Sequence, residues 1–128
     1  MILIDTNILI EIYKQNSKII DAVKIIGQEN IVVSDVTCGE LYYGVRNKIE
    51  LQAIRKDLDK LIVLPIEQSI SKLAVELVEK YTLSHKLSLP DALLASTAIN
   101  HNLKFFTLNI KDFKFIEKLD LYSIKEVK

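Results

Sequence analysis

Three consecutive aliphatic residues run into a carboxylate at the start of the chain, in Met1-Ile-Leu-Ile-Asp5-Thr6-Asn7. An unbroken apolar run this short suits a strand buried on both faces of a parallel sheet, where no polar alternation is needed. Asp5 then falls at the strand's carboxyl end. In open α/β sheets ligands bind along that rim, because the loops there lead into helix N-termini and leave a crevice. Thr6 and Asn7 have short polar side chains suited to capping the helix that follows. Taken alone, Asp5 reads first as a turn or capping residue. Its weight depends on whether other acids reach the same rim.

The rest of the chain alternates helical and extended patterns. Ile8 to Tyr13 and Lys18 to Gln28 carry apolar residues at helical spacing and end near Gly27 and Asn30. Ile31 to Val33 is a second strand. Ser34 or Asp35 caps a helix running through Glu40 and Tyr43 towards Arg46, and a charged amphipathic helix follows from Lys48 to Lys60. Leu61 to Leu64 is a third strand. Glu67 to Thr82 makes a long helix that faces inward with Ile70, Leu73, Ala74, Leu77, Val78 and Tyr81. A further helix, from Pro90 to about Asn100, is rich in small residues that permit close approach to a sheet. Lys104 to Thr107 is a fourth strand, Ile110 to Leu119 contains a short helix, and Leu121 to Ile124 reads as an edge strand. This alternation predicts a mainly parallel sheet with right-handed crossovers, hence a three-layer α/β/α sandwich.

Length and charge narrow the options. A chain of 128 residues predicts one domain over 1–128. Seventeen basic against 17 acidic residues leave no global positive field for nucleic acid or an anionic membrane, so any such contact must be local. One cysteine, Cys38, far from His85 and His101, excludes an internal disulfide framework and suggests no zinc site. With no cationic segment leading into a sustained apolar run, the expected setting is reducing and cytoplasmic. No apolar run approaches the roughly 20 residues of a membrane span. The mean hydropathy of +0.20 points to apolar surface covered by a partner or a second copy.

Three further acids have bland individual readings. Glu40, between Gly39 and Gly44, reads as a solvated helix residue, although glycines on either side cost helix stability and suggest a packing or access reason. Asp91 suits a capping box with Ser88, and Asp112 suits the first turn of its short helix. Together they read differently, because Asp5 and Asp112 follow strands while Glu40 and Asp91 sit on helices flanking the same carboxyl edge. Like charges about 4 Å apart cost roughly 4 kcal/mol at an effective dielectric of 20. Such a cluster persists by taking up protons or by binding cations. Oxygen ligands without His or Cys favour a hard ion, Mg²⁺ or Mn²⁺, and carboxylate-held Mg²⁺ typically acts on phosphate esters.

Four segments in order carry a family resemblance: Asp5-Thr6-Asn7, Glu40-Leu41-Tyr42-Tyr43-Gly44, Pro90-Asp91-Ala92-Leu-Leu-Ala95, and Thr107-Leu-Asn109-Ile-Lys-Asp112-Phe113. They resemble the successive motifs of PIN-domain ribonucleases, above all the VapC-type toxins of prokaryotic toxin–antitoxin pairs, across essentially the whole chain. The resemblance implies a Mg²⁺- or Mn²⁺-dependent endoribonuclease with Asp5, Glu40 and Asp91 as its acidic centre. It gives Thr6 and Thr107 supporting hydroxyls near the metal water or the scissile phosphate. Many members carry an acid where Asn109 stands here, which leaves Asp112 as the fourth carboxylate. An amide still coordinates through its carbonyl oxygen but adds no charge, so a second metal would bind weakly or only with substrate. The resemblance further implies a homodimer silenced by a cognate antitoxin that covers the crevice, often with an inserted arginine. A guanidinium pairs bidentately with carboxylates and can take a cation's place.

RNA needs positive contacts, and Arg46, Lys48, Lys111 and Lys114 lie in or beside the motif segments, each also an ordinary surface charge. Tyr42 and Tyr43 could stack bases, though their spacing suits core or dimer packing better. His101 reads as a helix C-terminal residue, and His85 carries no signal. Haloacid-dehalogenase-like phosphatases also place Asp after a strand, but expect a second Asp where Asn7 stands. A receiver domain expects a phosphoacceptor Asp after a middle strand, and Leu61 to Glu67 offers none. Three glycines supply no phosphate-binding loop. A PIN-like binding module without nuclease activity is the remaining alternative.

Overall fold

The computed structural model describes residues 1–124. Four short strands, β1 (Ile2–Ile4), β2 (Ile31–Ser34), β3 (Ile62–Leu64) and β4 (Lys104–Phe106), form one sheet in the order β3-β2-β1-β4. Every pairing is parallel, with Leu3 opposite both Val32 and Phe105. Helices α1 (Thr6–Tyr13) and α2 (Ser17–Ile26) connect β1 to β2. Helices α3 (Asp35–Tyr43) and α4 (Lys48–Leu58) connect β2 to β3, and α5 (Gln68–His85) and α6 (Leu89–Asn100) connect β3 to β4.

The pleat sorts the apolar strands into two cores, because successive side chains point to opposite faces. Leu3, Val32 and Phe105 pack with Ala74, Leu77 and Tyr81 of α5 and with Ala92, Leu94, Ala95 and Ala98 of α6. Ile4, Ile31, Val33 and Phe106 pack with Ile8 and Leu9 of α1, Ile19 and Ala22 of α2, Leu41 of α3 and Leu58 of α4. The fold is the three-layer α/β/α sandwich that the alternation predicts. Small residues let α6 lie close, and Ser96 within it donates a 2.6 Å hydrogen bond to the Ile70 carbonyl of α5. Among the described residues no helix is long and apolar enough to cross a membrane.

The topology fixes where a crevice opens. From β1 the chain moves to β2 and on to β3 with all its helices on one face, then returns to β4 on the other side of β1 with α5 and α6 on the opposite face. Right-handed crossovers require that change of face when the direction reverses. The switch point therefore lies between β1 and β4, and their carboxyl ends deliver Asp5 and Thr107.

Several boundaries differ from the sequence reading. Asp5 itself is the N-cap of α1, extended at φ −74° and ψ 159°, so Thr6 already lies in the helix and neither Thr6 nor Asn7 caps it. Ser34, not Asp35, caps α3, which stops at Tyr43 short of Arg46 when the Gly44 N–H closes on the Glu40 and Leu41 carbonyls. Leu121 to Ile124 is not a strand: a single parallel bridge joins Leu121 to Phe105. Along a strand, alternate residues direct their backbone groups to opposite sides, so three-residue β4 offers the outer edge only the Phe105 N–H and C=O. Those two groups bond the Asp120 carbonyl and the Tyr122 N–H, each at 2.8 Å. The short helix after β4 is one 3₁₀ turn, Ile110–Asp112.

Candidate active site

Asp5 is buried at 6% exposure, and both carboxylate oxygens are held. Oδ1 accepts the Thr6 N–H at 2.7 Å, and Oδ2 accepts the Thr107 hydroxyl at 2.8 Å. The Thr107 oxygen in turn accepts the Asn109 N–H at 3.0 Å and the Asn7 amide at 3.4 Å, which uses the full bonding capacity of a hydroxyl. Asn7 also accepts the Leu108 N–H at 3.3 Å, so its side chain clasps the loop after β4 to the start of α1. Asp5 is thus a fixed carboxylate whose plane the fold sets from two strands.

Thr6 carries the connection to α3. Its hydroxyl lies 2.8 Å from Glu40 Oε1 and 3.1 Å from the hydroxyl of Thr37. A hydroxyl has one proton, and the shorter, charge-assisted bond to Glu40 takes it. Glu40 is otherwise exposed, and Thr37, one helical turn before it, is fully buried. Asp91 is half-buried in the first turn of α6, where Ser88 Oγ accepts its N–H at 3.3 Å. Asp112 is exposed at the end of the 3₁₀ turn, its N–H bonded to the Asn109 carbonyl at 2.9 Å. Asn109 starts that turn, and its side chain does not cap it.

The charges of these acids register on one another. Burial pushes the Asp5 carboxyl up from 3.8 to about 6, partly offset by the Thr107 and Thr6 bonds and reinforced by Asp91 and Glu40. The Asp91 carboxyl is also raised, first by burial and then by Asp112 and Glu40, with Ser88 opposing. Among the described residues no cation pairs with any of the four: the ion pairs join Lys14 to Glu11, Arg46 to Glu50 and Lys80 to Glu117. Nor, among those residues, are three such side chains already drawn close enough to grip a metal ion. Uncompensated like charges hold apart, and all the donors are the hard oxygens that Mg²⁺ or Mn²⁺ takes. In chemistry and charge the set fits such an ion.

Other sequence-level candidates divide. Arg46 is committed to Glu50 at 2.9 Å, while Lys111 and Lys114 are exposed beside Asp112. Tyr42 packs on the core, but Tyr43 is 93% exposed, which core packing does not explain. His101 ends α6 as its position suggests. Two residues were missed. Thr37 stands three positions before Glu40, a spacing that puts both on one helix face, and Asn7 reads in the sequence as a cap and a motif residue with no sign of its clasp on the loop after β4.

A fully parallel sheet with a buried carboxylate at its switch point, Asp91 and Glu40 acting on it and Asp112 acting on Asp91 defines an α/β protein with acids gathered at one sheet rim. The chain belongs to the PIN-domain family, whose model, described as PIN domain, matches residues 2–119. Solved structures agree. A chain of a toxin–antitoxin complex from Klebsiella pneumoniae is 29% identical, with 99% of this chain and 100% of that one covered at a TM-score of 0.82. One from VapBC2 of Rickettsia felis, bound to a DNA fragment from its promoter, is 28% identical over 95% and 98% of the chains at 0.81. One from VapBC-1 of nontypeable Haemophilus influenzae is 26% identical over 95% and 97% at 0.80. No curated protein matches the chain.

Proposed function

We propose that this protein is a metal-dependent endoribonuclease, the toxin of a type II toxin–antitoxin pair. The observation that carries the reading is the buried Asp5 carboxylate at the switch point, raised to about 6 with Asp91 and Glu40 adding to the rise, and with no cationic side chain among the described residues paired to any of the three. Similarity to chains of three toxin–antitoxin complexes supports the biological role.

Asp5, Glu40, Asp91 and Asp112 would hold Mg²⁺ or Mn²⁺, with Asn109 as a neutral oxygen donor. Such an ion, when bound, lowers the pKa of a coordinated water and offsets charge on phosphate oxygens. The chain's own part is positioning. Thr107 and the Thr6 N–H fix the Asp5 plane, and each held oxygen keeps a further lone pair for coordination. The Thr6 hydroxyl keeps Glu40 turned towards the crevice rather than into solvent. In the reaction a water oxygen bonds to phosphorus, the phosphodiester P–O bond breaks, and the leaving ribose oxygen takes a proton.

The antitoxin's place is the apolar groove beside Glu40, where Val36, Gly39, Tyr43, Leu89, Pro90 and Leu93 are in reach of an inserted segment. Homodimerisation would cover further exposed apolar side chains, of which Leu83 is 98% exposed. The test is cleavage of total RNA in Mn²⁺ and in EDTA, with Asp91→Asn purified identically and new ends sequenced. Discrete cuts should require wild type and metal, with the variant down on the order of a hundredfold or more. Equal cutting by the variant would mark contamination, and no cutting by either would favour a binding module.

A further inference from the structure

Resting on the ribonuclease reading, a second feature bears on RNA binding. Lys86, Lys111 and Lys114 line one open cleft together with His85, Phe115 and two of the candidate acids, Asp91 and Asp112. The three lysines come from separate places, the end of α5 and the segment after β4, and all are exposed. Among the described residues none of them is in an ion pair. On a chain of zero net charge, three lysines against two carboxylates give this cleft a small local positive excess, and Asp91 and Asp112 tie it to the candidate acids.

Two details go beyond ordinary surface charge. Lys86 ends α5 in the left-handed region at φ 54° and ψ 42°, a position that favours glycine or asparagine and costs a lysine backbone strain. Strain kept at a cleft points to a use for the side chain it carries. His85, the preceding residue, is exposed and stacked on Phe115, ring centroids 3.9 Å apart and 9° from parallel, while Tyr81 meets Phe115 edge-on at 5.1 Å. Ser84 Oγ lies 2.8 Å from His85 Nδ1 and further fixes the ring. A flat ring held in one plane beside cations is the arrangement that single-strand binders use, lysines for phosphates and a ring for a base.

We propose that this cleft is the single-stranded RNA subsite next to the scissile position, with Lys86, Lys111 and Lys114 on consecutive phosphates and a base stacked on His85. The test is binding of a fluorescein-labelled single-stranded RNA to the full-length Asp5→Asn protein across 50 to 200 mM salt. Replacing all three lysines with glutamine should weaken binding about tenfold or more and flatten the salt slope by roughly 0.7 per lysine contact. Triple replacement with arginine should keep the slope. His85→Ala should weaken binding about tenfold with the slope unchanged.

A folded triple-glutamine variant with the parent's slope would overturn the proposal. So would a slope loss seen with polyglutamate and not with RNA, which would assign the cleft to an acidic protein segment. Failure of the ribonuclease reading looks different. Wild type would cut no RNA in either metal, while the lysine-dependent slope would still establish the cleft as an RNA-binding surface.

Discussion

Asp5 is the residue whose charge the fold tolerates least. An acid whose pKa rises on folding from 3.8 to about 6 favours the folded state most below pH 3.8, and that advantage is lost as pH climbs through 6. Asp5→Asn should therefore be more stable than wild type at pH 7.5 in EDTA, by on the order of 1 to 3 kcal/mol, with the gain gone near pH 4. Urea unfolding at the two pH values measures it, and an equal or lower midpoint for the variant at pH 7.5 contradicts the burial argument. Thr107→Val removes the donor to a buried carboxylate oxygen. It should cost about 1 to 3 kcal/mol at pH 7.5 and less at pH 4, where Asp5 is protonated. Thr6→Val frees Glu40 and also leaves the buried Thr37 hydroxyl without its partner; we expect RNA cleavage to fall about tenfold and stability to fall by about 1 to 3 kcal/mol.

At the scale of elements, two helix positions separate stability from use. Among the described residues a Cβ placed on Gly39 would meet nothing within 4 Å, so no packing between them requires a glycine in the middle of α3. Gly39→Ala should raise stability by about 0.5 to 1 kcal/mol and, because the residue lines the groove beside Glu40, weaken antitoxin binding. Lys86→Gly should likewise stabilise the end of α5, by about 1 kcal/mol, while weakening RNA binding. The helices and strands themselves were legible, because apolar spacing and caps such as Ser34, Asn47 and Ser88 are local signals. The Leu121 to Ile124 strand was misread because its apolar pattern carries no information about how few free backbone groups β4 presents. The cap of α1 was assigned one residue late because Asp, Thr and Asn are all competent caps and only the backbone turn decides among them.

In the molecule as a whole, the reversal of strand order around β1 brings acids distant in sequence within electrostatic reach of one another. Sequence spacing placed two acids after strands and two on helices, and their positions at one sheet rim were legible to that extent, with Asp91 and Glu40 acting on Asp5 and Asp112 acting on Asp91. Of the basic cleft only Lys111 and Lys114 were legible, since Lys86 joins them only through the packing of α5 against the segment after β4, and His85 gains meaning only from the Phe115 ring beneath it. The measurement that tests the account most directly is the shift in unfolding temperature on adding Mn²⁺ to wild type and to Asp5→Asn. A ligand that binds only the folded state stabilises it by RT ln(1 + [L]/Kd), about 2.7 kcal/mol at a hundredfold excess over Kd. Comparing shifts rather than midpoints removes the variant's own gain in stability. We predict an upward shift of several degrees for wild type and a much smaller one for Asp5→Asn; equal shifts in the two proteins would contradict a metal site built on Asp5.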